Sequence, residues 1–86
     1  MYPIGYKDIV FYRIQLPMNK AKKLTALGLK VKEFRLSKNM TQMELAHKLG
    51  KDHPSINKLE NGKVNPSYIF LLEVCEGLEI DIKELF

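Results

Sequence analysis

The sequence predicts an all-α fold, five short helices set behind an extended N-terminal arm. Three observations carry that expectation. Beyond Met18 the apolar residues recur at spacings of three and four, the mark of one face of an α-helix. Helix-start signals punctuate the same stretch at Thr41, Asp52, the Asn65-Pro66-Ser67 run and Asp81. By contrast, Asp8-Ile9-Val10-Phe11-Tyr12-Arg13-Ile14-Gln15-Leu16 is rich in β-branched and aromatic side chains and is bracketed by Pro3 and Pro17, so it reads as a strand.

The division that follows is an arm over residues 1–20 and a helical domain over residues 21–86. A strand in the arm would put Val10, Tyr12, Ile14 and Leu16 on one face. Met18 stands as an alternative start, which would make residues 1–17 an extension. The first helix runs from about Ala21 to Ser37, on the spacing of Leu27, Val31 and Phe34, with Leu24 and Leu36 nearby. Gly28 inside it costs about 1 kcal/mol relative to alanine, which predicts a late start. After Lys38-Asn39-Met40, Thr41 and Glu44 have the spacing of a capping box and open a second helix carrying Leu45, Ala46 and Leu49, stopped by Gly50. Asp52 caps a third, with Pro54 tolerated in the first turn, Ile56 and Leu59 inward, and Asn61-Gly62 at its end. A fourth reaches about Leu78, with Leu71, Leu72, Cys75 and Leu78 on its inner face. Asp81 caps a last turn ending at Phe86.

Composition narrows the class. Hydrophobic residues at 45% and charged residues at 28% exclude a disordered tail. A single cysteine among 86 residues excludes an internal disulfide and suits a reducing cytoplasm. No run approaches the roughly 18 apolar residues of a membrane span, and Arg13 and Gln15 interrupt the apolar stretch that a signal peptide would need. The net charge of +4 is uneven: Lys20 to Lys63 holds eleven Lys and Arg against four acids, while Val64 to Phe86 holds one lysine against five. A basic middle suits a polyanion; unevenly solvated charge is the competing reading.

The connection Gly50-Lys51-Asp52 is short and glycine-containing, so helices two and three must cross steeply, as in a helix-turn-helix spanning about residues 42–61. That motif needs a small residue where the helices touch, a glycine at the turn and a polar outer face on the second helix. Ala46, Gly50, and His53 with Asn57 and Lys58 answer in turn.

On these residues the chain resembles the Cro and lambda-repressor-like helix-turn-helix proteins, the xenobiotic-response-element family of bacterial regulators. The matching run is Leu36-Ser37-Lys38-Asn39-Met40-Thr41-Gln42-Met43-Glu44-Leu45-Ala46, then Leu49-Gly50, Ile56-Asn57-Lys58-Leu59-Glu60-Asn61-Gly62-Lys63 and Asn65-Pro66-Ser67. The resemblance covers residues 27–86 and leaves out the arm. It implies double-stranded DNA as partner and a homodimeric repressor on a palindromic operator, the third helix lying in the major groove. His53, Pro54, Asn57 and Lys58 would reach bases. Gln42, Arg35, Ser55, Asn61 and Lys63 would meet the DNA backbone, Gln42 also bracing the reading helix. Arg35 and Glu60 would form an ion pair between helices one and three. The plainer alternatives stay open: Gln42 as a surface helix residue, Lys58 and Lys63 as solvated charges, His53 as an exposed helix start, and the ion pair as structure alone.

Two departures from the family pattern stand out. His53-Pro54 replaces the usual small polar residues, and proline offers a base only apolar contact. Ile69 and Phe70 replace polar residues on helix four, and apolar surface wants a cover. Ile69, Phe70, Ile82, Phe86, Phe11 and Tyr12 are therefore the expected dimer interface. The same surface motivates a protein-binding alternative, an antitoxin that holds a toxin, and the size suits a restriction–modification controller equally. No cofactor or metal is expected: His47 and His53 lie six apart, Cys75 has no second cysteine, and no nucleophile has a histidine neighbour. Asn57 stands where a phosphate loop ending at Gly62-Lys63 would need glycine. An enzyme is not expected.

Overall fold

A computed structural model describes residues 19–86. These form four α-helices, α1 (Lys20–Ser37), α2 (Gln42–Leu49), α3 (His53–Glu60) and α4 (Tyr68–Leu78), and a closing 3₁₀ turn (Ile82–Leu85). The expected fifth helix is that single turn. It is too short for α-helical hydrogen bonding, although Asp81 and Glu84 still form a capping box across its start. No strand occurs among the described residues. The expected arm, with Phe11 and Tyr12, lies outside them except at its end, where Asn19 caps α1 and Lys20 begins it.

Each helix starts at a side chain that satisfies an amide with no partner of its own. Asn19 accepts from Lys22 N–H, Thr41 from Glu44, Asp52 from Ser55 and Ser67 from Phe70. At Thr41 the box is complete, since Glu44 Oε1 accepts from the Thr41 amide at 2.7 Å. α2 ends at Gly50 with φ +69°, a left-handed residue that lets Lys51 N–H return to Ala46 O at 2.9 Å.

Gly28 does not delay α1, which begins eight residues before it. The glycine instead marks a helix crossing. A Cβ there would lie 2.4 Å from the carbonyl oxygen of Leu59 and 2.5 Å from that of Glu60, so α1 and the end of α3 touch backbone to backbone. Gly77 makes room on α4 for side chains of α2 instead, since a Cβ there would lie 2.5 Å from Leu49 Cδ2.

The core is Val31, Leu45, Ala46, Ile56, Leu59, Leu71, Val74, Cys75, Leu78 and Leu85. Full burial of each large aliphatic among them contributes roughly 1.5–3 kcal/mol before entropy is counted. Leu36, grouped with the apolar face of the first helix, is exposed, and Leu72 is only half-buried. Burial lifts the Cys75 thiol above its ordinary range, with the carboxylates of Asp81 and Glu84 adding to the effect. No helix among the described residues is long and apolar enough to cross a membrane.

Candidate nucleic-acid interface

The crossing of α1, α2 and α3 builds a chain of polar contacts that starts in the interior and ends on the outer face of α3. Its root is Arg35, whose side chain is 7% exposed, paired with Glu60 at 1%. The pair is bidentate: Arg35 Nε donates to Glu60 Oε2 at 2.6 Å and Nη2 to Oε1 at 2.9 Å. Arg35 Nη1 donates to Met40 O at 2.6 Å and so ties down the α1–α2 connection. The bond to Glu60 raises the guanidinium above its ordinary range against the opposing effect of burial. Three guanidinium nitrogens are therefore engaged inside the chain, and Arg35 is not held out towards the surface.

Gln42 carries the chain outward. Its Nε2 donates to Glu60 Oε1 at 2.9 Å, and its Oε1 lies 2.8 Å from His53 Nε2 and accepts from Asn57 Nδ2 at 3.1 Å. Asn61 Nδ2 then donates to Asn57 Oδ1 at 3.2 Å. The structure thus brings together Gln42, His53, Asn57, Glu60, Asn61 and Arg35.

The remaining expected contacts sit around this chain without joining it. Pro54 and Lys58 are exposed on α3, and Lys63 is exposed on the loop that follows. The Lys63 amide donates to Lys58 O at 2.8 Å. Ser55 is half-buried, and both its amide and its hydroxyl donate to Asp52 Oδ1. Those bonds hold the Asp52 carboxyl below the usual carboxylate range, the hydroxyl contributing most. The Ser55 hydroxyl proton is therefore spent on the helix cap, and a phosphate oxygen would have to displace Asp52 to receive it.

The expected dimer surface divides. Ile69 and Phe86 are 62% and 78% exposed. Phe70 and Ile82 are half-buried and pack on the core, and the Lys51 ammonium sits 5.6 Å from the Phe70 ring centroid. Tyr68, 64% exposed beside Ile69, was not anticipated. No single-residue signal marked it: Tyr68 directly follows the Ser67 cap, but Ile82 follows Asp81 in the same way and packs on the core.

A small crossing residue, a left-handed glycine at the turn, and a polar outer helix tied to a buried ion pair together define a helix-turn-helix protein. The helix-turn-helix family model matches residues 31–85, and the chain belongs to that family. It is 39% identical over 57 residues to an HTH-type transcriptional regulator of Archaeoglobus fulgidus, a span of 66% of this chain and 80% of the relative. In structure it is similar to the restriction–modification controller C.AhdI of Aeromonas hydrophila (TM-score 0.74, 31% identity, 76% of this chain and 98% of that one). It is also similar to the controller C.Esp1396I, solved as a tetramer in complex with its natural 35 base-pair operator (TM-score 0.65, 31% identity, 73% of this chain and 93% of that one).

Proposed function

We propose that this chain is a sequence-specific, double-stranded DNA-binding transcriptional regulator, a homodimeric repressor that lays α3 in the major groove of a palindromic operator. The observation that carries the reading is the polar chain from Arg35–Glu60 through Gln42 to His53 and Asn57. It spends a buried ion pair on fixing two exposed side chains in the first turns of one helix. Such fixation suits direct readout, because a base contact discriminates only when the reading group cannot turn to suit the wrong base. His53, Pro54, Asn57 and Lys58 read bases in this account. Gln42, Asn61 and Lys63 hold the backbone, and Arg35 acts through Glu60.

The second copy is proposed to meet the exposed Tyr68, Ile69 and Phe86, placing two α3 helices about 34 Å apart on one face of the duplex. The resemblance to two restriction–modification controllers supports a restriction–modification controller as one specific form. The same apolar surface supports a second reading, in which a protein such as a toxin is held there.

The test is selection of genomic fragments on the purified full chain, followed by fluorescence anisotropy on the enriched duplex across a salt series. The expected result is an inverted repeat whose affinity falls steeply with salt. Lys63→Ala should weaken all duplexes alike, whereas Lys58→Ala should alter preference as well. Weak binding to every fragment with no enriched motif would overturn the reading in favour of the protein partner.

A further inference from the structure

We infer that His53 meets its operator base as a hydrogen-bond acceptor through Nδ1, and so selects a base that offers an amino group in the major groove, adenine or cytosine, over guanine or thymine. The inference rests on the DNA-binding reading above and adds a direction to it. The polarity is imposed from the interior outward.

Glu60 is a carboxylate gripped by two Arg35 nitrogens at 2.6 and 2.9 Å, so it can only accept. The group 2.9 Å from its Oε1 must therefore be the amide nitrogen of Gln42. Turning the Gln42 amide over would set two acceptor oxygens at that distance in a part-buried site, and it would also face two N–H groups with the Asn57 amide. Gln42 must then present its oxygen to His53. An oxygen 2.8 Å from His53 Nε2 requires the proton on that nitrogen. A neutral imidazole has one N–H, so Nδ1 is left as an acceptor on an exposed side chain at the first position of α3.

In the major groove, adenine N6 and cytosine N4 donate, while guanine offers N7 and O6 and thymine O4, all acceptors. A histidine whose tautomer were free could serve either set. This one is committed by a carboxylate on the far side of Gln42. Asn57 is oriented by the same oxygen, since its Nδ2 donates to Gln42 Oε1 while its Oδ1 accepts from Asn61.

The test has two arms, both on the full chain at mildly alkaline pH, where free imidazole is neutral. In the first, two-bond proton–nitrogen correlation NMR on the free protein reads the ring directly. Protonated Nε2 with bare Nδ1 is the expected pattern, and a proton on Nδ1 would overturn the inference whether or not DNA binds. In the second, the selected duplex is remade one position at a time with purine for adenine or 2-pyrimidinone for cytosine, which removes the amino group, or with 7-deaza-adenine or 7-deazaguanine, which removes N7 alone. One amino deletion should weaken wild-type binding about 3- to 10-fold and leave His53→Ala indifferent. Coupling of His53 to an N7 deletion, or to no deletion at all, would overturn the inference while leaving the regulator reading intact. A failure to enrich any duplex would overturn the regulator reading itself, with the NMR arm still deciding the tautomer.

Discussion

Replacing Gly28 by alanine sets two rules against each other. In an isolated helix the change should stabilise by about 1 kcal/mol, because alanine loses less backbone entropy. In this protein the new methyl would meet the Leu59 and Glu60 carbonyl oxygens at 2.4 and 2.5 Å and the Glu60 carbonyl carbon at 2.7 Å. These are backbone atoms of the last turn of α3, where Leu59 O accepts from the Gly62 amide at 3.2 Å, and they cannot swing aside as a side chain does. Relief requires α1 and α3 to part by about 1 Å, and overpacking of that kind costs roughly 1–3 kcal/mol. With two carbonyls in the way the upper end applies, so after the propensity gain the net loss is about 2 kcal/mol. For a domain of this size that lowers the melting midpoint by roughly 8–16 °C. Urea denaturation of Gly28→Ala and of Ala26→Gly, an exposed position two residues earlier, separates the rules. Both variants should be less stable than the wild type, although they move propensity in opposite directions. A Gly28→Ala protein as stable as the wild type, or more so, would refute the backbone-contact argument.

Other expectations follow from the same geometry. Arg35→Met and Glu60→Met should each cost about 3–5 kcal/mol by stranding a buried charge, and the double variant should recover much of that, as read by a double-mutant cycle in urea. Thr41→Ala removes one half of a capping box and should cost about 1 kcal/mol in the same assay. The Asp52 carboxyl lies below its ordinary value when folded, so its support of α3 is present above the unfolded value of about 3.9 and is lost as pH falls through the lower folded value. Thermal melts carried down through that window should show a steeper acid loss for the wild type than for Asp52→Asn. Cys75, buried and raised, should react with a soluble alkylating reagent only as fast as the domain opens, and a mass-spectrometric time course in increasing urea measures this.

What was legible in the sequence is what a single turn decides. Thr41 with Glu44, Asp52 and Asp81 announce helix starts because the partner amide is two or three residues away, and all three cap as their spacing implied; within the Asn65-Pro66-Ser67 run the structure makes Ser67 the cap. Gly28 and Gly77 were opaque for the opposite reason. Their meaning lies in Leu59, Glu60 and Leu49, on other helices, and a lone glycine reads as a weak helix residue until the crossing is known. The outer face of α4 failed on phase. Ile69 and Phe70 are neighbours in sequence, but successive residues sit about 100° apart on a helix. One therefore faces out while the other reaches the core and the Lys51 ammonium. At the candidate site the participants Gln42, His53, Asn57 and Glu60 were legible from family spacing. Their connections were not, because the eleven-residue step from Gln42 to His53 becomes a 2.8 Å contact only through the angle that Gly50 imposes.

The eight residues of α3 also set a limit on information. Such a helix is about 12 Å long, no longer than the major groove is wide, so on the proposed reading it would inspect roughly four base pairs. A four-letter word of that length occurs by chance about once in every 256 positions, against the 10⁶–10⁹ competing sites that a genome offers. One copy of this domain could not find an address. Two copies squaring that rarity, or four raising it again, turn an ambiguous word into a phrase. On the proposed reading, the brevity of α3 would make the number of subunits on the duplex a part of how the message is spelled.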